Sequence, residues 1–169
     1  RSSLSALNVA FVDITVTGRE KMSWLVAQRF DAYTPEVLQA VSEGITAVPL
    51  VGVALPCDET LVQGNAFCFL PLGGLLTGLP LHVNASFEPQ PNRRELWLLG
   101  PNLDGQHERR ARWNDVLMRH SIPRLWAEVL EMLGPGCSGL PSGQRLGNSQ
   151  ERYALVLARL PKLCSTREA

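Results

Sequence analysis

Apolar and polar positions along the chain divide it into strands, one early helix, more strands and a helical end. From Leu7 to Thr17 the residues alternate, with Val9, Phe11, Asp13 and Thr15 on one side and Ala10, Val12, Ile14 and Val16 on the other. The second side is wholly apolar, so it is the one expected to be buried, and Gly18 ends the strand. Met22–Phe30 reads as a second strand, with a helical tail as the alternative. Thr34-Pro35-Glu36 opens a helix, because Thr can cap free amides and Pro fits the first turn. Leu38, Val41 and Ile45 fall on one face of that helix, and Gly44 is its expected stop. Three further apolar runs follow: Val48–Leu55, Asn65–Leu72 and Leu79–Phe87. They lack clean alternation, which predicts strands covered on both faces. Pro49, Pro71 and Pro80 each remove a ladder donor, so they are expected at strand ends or edges. Residues 88–92 form a loop, and 95–99 return to extended structure.

From Gln106 the period becomes helical. Trp113, Val116, Leu117 and His120 share a face. Ser121-Ile122-Pro123 is expected to interrupt this helix and Pro123 to start another, with Ile122, Leu125, Trp126, Val129, Leu130 and Leu133 as its apolar stripe. Residues 134–147 hold five Gly and two Pro and read as a linker. Asn148 to Glu151 resembles a capping box, and Tyr153, Val156, Leu157 and Leu160 make a third stripe before Pro161. The expected fold is α+β (mixed α/β): a central mixed sheet, flanking helices and a helical C-terminal segment. The expected division is a domain over 1–133, the linker over 134–147, and a helix and tail over 148–169.

Composition narrows the function classes. Hydrophobic residues make up 45% and charged residues 19%, a globular balance. Sixteen basic residues cancel sixteen acidic ones, which argues against nucleic acid and against an anionic membrane as partners. No apolar run is long enough to span a bilayer. The four cysteines are widely spaced, with no zinc or disulfide framework, and Cys68 reads as a buried thiol. The chain opens on Arg1 rather than Met, which reads as a fragment of a longer protein. The expected compartment is reducing and cytoplasmic.

Catalytic motifs are sparse. There is no nucleophile elbow, no phosphate-binding loop and no metal-ligand cluster. Gly73-Gly74 reads as a turn. His82, in a strand, reads as a packed residue, and a direct ligand role is the alternative; with Asn84 it marks a candidate pocket. His107 reads as solvated and His120 as a core or interface residue. Asp58/Glu59 and Glu128/Glu131 are the nearest acidic pairs, and Glu128/Glu131, opposite the apolar stripe, reads as a solvated face. Trp97 is placed to stack on a guanidinium. Residues 93–124 hold seven Arg against four acids. Asn92-Arg93-Arg94 follows a strand and can clamp a phosphate or carboxylate, with a solvated or ion-paired rim as the simpler reading.

The segments Gly64 to Leu72, Thr77 to Asn84, and Asn92-Arg93-Arg94-Glu95-Leu96-Trp97 resemble, in this order, three segments of the sacsin family. Trp24-Leu25-Val26, Pro49 with Gly52-Val53-Ala54, and Trp113-Asn114 with Leu117 extend the resemblance over roughly residues 20–133. Gly73, Ala85 and Pro91 depart from the family's Pro, Gly and Ser. The resemblance implies a non-catalytic fragment of a chaperone, positioned after a GHKL-type ATP-binding module like that of the ninety-kilodalton heat-shock chaperone. It implies coupling of that module to client or partner binding. ATP and Mg are then ligands of the parent protein and not of this segment. The implied partners are the upstream nucleotide-binding domain and client or co-chaperone proteins. Asn92, Arg93 and Arg94 become candidate phosphate sensors by position. The alternatives are a stand-alone protein-interaction module and a small-molecule enzyme with a pocket near His82 and Asn84.

Overall fold

A computed structural model describes residues 7–14, 22–31, 34–57 and 62–133. Residues 15–18, Asp58, Glu59, the linker over 134–147 and the helix and tail over 148–169 lie outside the described residues. Six strands form one sheet: β1 (Leu7–Ile14), β2 (Met22–Phe30), β3 (Leu50–Pro56), β4 (Asn65–Cys68), β5 (Leu70–Leu76) and β6 (His82–Ala85), in the order β1-β2-β3-β6-β4-β5. All neighbours are antiparallel except β4 and β6, so the sheet is mixed and the fold is α+β. Pro49 and Pro80 sit just outside strands and Pro71 lies in the edge strand β5, where a missing donor costs no ladder bond.

The register assigns each strand position to a face. Leu7 and Val9 of β1, Leu25, Ala27 and Arg29 of β2, Val51, Val53 and Leu55 of β3, Val83 and Ala85 of β6 and Ala66 of β4 share one side. That side carries the core. The opposite side carries Ala10, Val12, Ile14, Trp24, Val26, Gln28, Gly52, Ala54, His82, Asn84 and Phe67. The expected burial of β1 is therefore inverted: Val12 and Ile14 are 39% and 46% exposed, while Leu7 and Val9 pack on the core. The other side is apolar too through Leu7, Val9 and Phe11 and turns polar only at Asp13, so the position of the helices decides, and these lie on the Leu25–Val53 side. The central strands are accordingly covered by described helices on one face, not two.

Helix α1 (Pro35–Ser42) begins as expected, with Thr34 Oγ1 accepting from Val37 N at 3.3 Å, and ends before Gly44 at φ +94°. Its inward residues are Val37 and Ala40, one position back from the expected stripe; Leu38 and Val41 are exposed. Helix α2 (Gly105–Val116) is capped by Asp104, whose carboxylate accepts from Gln106 N and His107 N at 3.0 and 2.8 Å. The expected break at Pro123 does not occur. A π-helical turn (Leu117–Ser121) joins α2 to α3 (Ile122–Leu133), with Ile122 N bonded to Leu117 O. The wider turn gives the chain the extra residue that lets a proline follow without ending the helix. Trp113, Leu117, Leu125 and Val129 face the core, but His120 is exposed, because the π turn rotates it off the Trp113 face. Trp113 buries its ring and donates from Nε1 to Ser86 O at 2.8 Å.

The Asn65–Leu72 run is not one strand. It folds into a hairpin whose corner is Phe69, at φ +60°. The Gly73-Gly74 pair is not the turn but part of β5. There β4 moves from Phe67 to Asn65 while β5 moves from Pro71 to Leu76, so β5 bulges and Gly74 takes φ +87°. Gly64 meets the Thr77–Leu81 loop at close range: Gly64 N donates to Leu79 O and Thr77 N to Gly64 O, at 3.0 and 2.9 Å. A Cβ at Gly64 would lie 1.9 Å from Leu81 O, so this crossing requires glycine.

Candidate functional site

Asn92, Arg93 and Arg94 form an exposed turn closed by the Pro89–Leu96 bridge. Arg93 N donates to Gln90 O at 2.8 Å, and Arg94 N to Asn92 Oδ1 at 2.9 Å. Arg93 sits at φ +54°, a left-handed conformation uncommon for a side chain of this size. The turn is tied to the β4–β5 hairpin twice, since Gly73 N donates to Arg93 O at 3.1 Å and Arg93 Nη2 donates to Cys68 O at 3.1 Å. Asn84 reaches the same corner from β6, its Oδ1 accepting from Phe69 N at 2.9 Å. Arg93 is thus engaged in holding the corner. The Arg94 guanidinium has no hydrogen bond or ion pair among the described residues.

His82 and Asn84 project from the same side of β6 and line a shallow groove of about 440 Å³ with Val12, Trp24, Phe67 and Phe69. His82 lies stacked on Trp24 at 5.3 Å between ring centroids, with Phe67 edge-on at 5.5 Å. Its Nδ1 accepts from Asn65 N at 3.0 Å. That bond requires an unprotonated Nδ1, so the proton of the neutral ring is on Nε2, which is left as a donor. Burial lowers the His82 pKa below the usual imidazole value, which keeps the ring neutral. Cys68 is half-buried and donates to Phe87 O at 3.2 Å. Burial raises its pKa, partly opposed by the positive charge of Arg93, so the thiol is a poor nucleophile.

The remaining basic residues are mostly neutralised locally. Arg110 pairs with Glu88, Arg112 with Glu108 and Arg119 with Asp115, at 3.8, 2.6 and 2.6 Å. Trp97 stacks on His107 at 4.0 Å rather than on a guanidinium. His107 is not solvated in a loop: it lies in the first turn of α2, 2.8 Å from Asp104.

Two features escaped the sequence reading. The first is a charge cluster under α3. Arg29 and Asp31 are both buried, and Arg29 pairs with Asp31 at 3.5 Å and with Glu128. Arg124 approaches both acids at 3.7 Å. Glu128 is therefore ion-paired and only partly solvated. The alternation of β2 carried the signal, since Arg29 continues the inward series Leu25, Ala27. The second is an apolar cavity of about 870 Å³, with Leu81, Val83, Trp97, Met118, Ile122 and Trp126 in its wall. Its residues come from segments scattered between Val53 and Trp126, so no local motif announces it. Among the described residues no group of three or more His, Cys, Asp or Glu could hold a metal, and no helix is long and apolar enough to cross a membrane.

Over 138 residues the chain is 29% identical to human sacsin, an alignment that covers 73% of this chain. The chain spans about 3% of the length of that curated relative. No family model and no solved structure matches. The chain is thus similar to one small region of sacsin.

Proposed function

We propose that this chain is the relay region of a sacsin-type chaperone, coupling an upstream GHKL-type ATP-binding module to the binding of client or partner proteins. The similarity to sacsin supports the family. The observation that carries the relay role is the Asn92–Arg94 turn: its backbone is pinned to the hairpin corner, while the Arg94 guanidinium is exposed and unpaired among the described residues. A cation held on a rigid turn suits the charge that develops on a transferred phosphoryl group. Arg94 is the sensor in this reading, Arg93 its support and Asn92 the residue that closes the turn. The nucleotide and Mg belong to the upstream module, and the chain contributes the cation.

The test is ATP turnover by the full-length protein. Arg94→Ala is expected to lower turnover by about tenfold or more with little change in KM for ATP. Unchanged turnover in Arg94→Ala overturns the sensor role. A full-length sequence without GHKL motifs overturns the coupling itself.

A second reading, a protein-interaction module, is favoured by the apolar cavity bordered by Trp97, Met118 and Trp126, since aromatic anchors in such grooves dominate many interfaces. Trp126→Ala abolishing client capture with ATP turnover intact would favour it over the relay.

A further inference from the structure

The sheet has two apolar faces, and the described helices cover one. Val12, Ile14, Trp24, Val26, Phe67 and Phe69 remain on the other, with Phe69 65% exposed. A sheet with an apolar second face buries it against a further layer. We propose that the layer is this chain's own segment 148–160, laid across the groove by its stripe Tyr153, Val156, Leu157 and Leu160.

Three observations select that occupant. First, the stripe follows the i, i+3, i+4, i+7 rule of a one-sided helix, and the sequence places it after a capping pattern at Asn148–Glu151. Such a segment has an apolar face of its own to bury. Second, the reach suffices. Residues 134–147 between α3 and the segment extend to about 45 Å at most, and passing from one side of a helix-on-sheet layer to the other takes roughly 20 Å. Third, the polar groups match. A buried Tyr hydroxyl needs a partner. The groove offers the Gln28 amide and the His82 Nε2 donor within an otherwise apolar surface. A helical stripe of that length would span about 10 Å, within the roughly 19 Å width of β1, β2, β3, β6 and β4.

The occupant is identified by photo-crosslinking in the full chain. Ile14 and Phe69, exposed at opposite ends of the face, are each replaced in turn by a benzoyl-phenylalanine crosslinker. The joined peptides are then read by mass spectrometry in a mixture of isotope-labelled and unlabelled protein. The expected product joins the face to residues 148–160 within one molecule. Val156→Asp with Leu157→Asp is expected to cut its yield about tenfold or more, because a carboxylate on the stripe cannot be desolvated cheaply. Glu151→Gln, on the polar side of the segment, is expected to leave the yield unchanged. Crosslinks joining labelled to unlabelled chains would assign the face to a second copy and overturn the proposal. So would crosslinks confined to other segments, or none. Circular dichroism of each variant separates loss of docking from loss of folding.

Discussion

Asn84 and Arg93 grip opposite ends of one peptide bond. The Asn84 side chain accepts the N–H of Phe69, and the Arg93 guanidinium donates to the carbonyl of Cys68, at 2.9 and 3.1 Å. The unit between them is the corner of the β4–β5 hairpin, where Phe69 takes a positive φ. Two residues from separate segments thus stabilise a backbone conformation that Phe does not favour alone.

Arg93→Ala is therefore expected to destabilise the fold, by about 1 kcal/mol, the low end for a charged donor because the site is exposed. Arg93→Gly loses the same bond but relieves the left-handed strain, so it is expected to cost less than Arg93→Ala. Arg94→Ala, whose side chain holds nothing among the described residues, is expected to stay within about 0.5 kcal/mol of the parent. Urea denaturation midpoints of the three variants check the order. An Arg94→Ala cost equal to that of Arg93→Ala would show that the turn is not divided in this way.

Gly64 predicts a sharper loss. Gly64→Ala places a methyl within 1.9 Å of Leu81 O and 2.4 Å of Leu79 O, both backbone atoms in a loop bonded back to Gly64 itself. Moving the Thr77 side chain away would still leave both carbonyls in the way, so the expected cost is at least about 3 kcal/mol. Gly73→Ala meets only the flexible Arg94 side chain at 3.7 Å and is expected to be tolerated. Thermal melts of the two variants compare directly.

His82 makes stability depend on pH. Its folded pKa is depressed, so the unfolded chain binds the proton more readily. The contribution is fully present above the unfolded value, about 6.5, and is lost as pH falls from there through the folded pKa. Denaturation midpoints are expected to drop as pH falls below about 6.5, and His82→Gln to flatten that part of the profile. Imidazole nitrogen shifts at neutral pH are expected to place the proton on Nε2.

How far the sequence speaks for itself differs by element. The strand β2 and the Thr34 cap of α1 are local, and their residues announce them. The inward face of β1 is not local: it is the side that carries Asp13, and the position of the helices outweighs that polar residue. The corner at Phe69 is less legible still, since the groups that hold it lie 15 and 25 residues away. The Asn92–Arg94 turn was visible as a basic cluster after a strand. That Arg93 is anchored and Arg94 is not follows only from three-dimensional contacts. Arg29 drew no reading from the sequence, yet it is the buried centre of an ion network.

That network carries its own test. Arg29 lies buried between Asp31 and Glu128, and Asp31 is itself buried. Arg29→Met leaves Asp31 with Arg124, 3.7 Å away and half-exposed, as its remaining cation. The expected cost is about 3 kcal/mol or more, since breaking a buried pair strands a charge. Glu128→Gln is expected to cost less, because Glu128 is partly solvated and Asp31 still compensates Arg29. Urea denaturation of both variants reads the difference, and equal costs would place the strain at Glu128 instead of Asp31.

Asn114 is the last case, and its chemistry makes the sign unambiguous. It is fully buried, accepts from Glu88 N at 2.8 Å and donates to Glu88 O and Trp97 O at 2.8 and 2.9 Å. It thereby fastens the 88–97 loop, which bears Arg93 and Arg94, to α2. Asn114→Ala orphans three backbone groups at once and is expected to cost about 2–4 kcal/mol. Asn114→Asp keeps the acceptor for Glu88 N but points an ionised oxygen at two carbonyls, so it is expected to be the worse variant despite its shape. Hydrogen exchange of the Glu88 and Arg93 amides is expected to accelerate in both, earlier than that of the β3 core. If exchange at the loop matched the parent while global stability fell, Asn114 would be a packing residue and not the fastener of the basic turn.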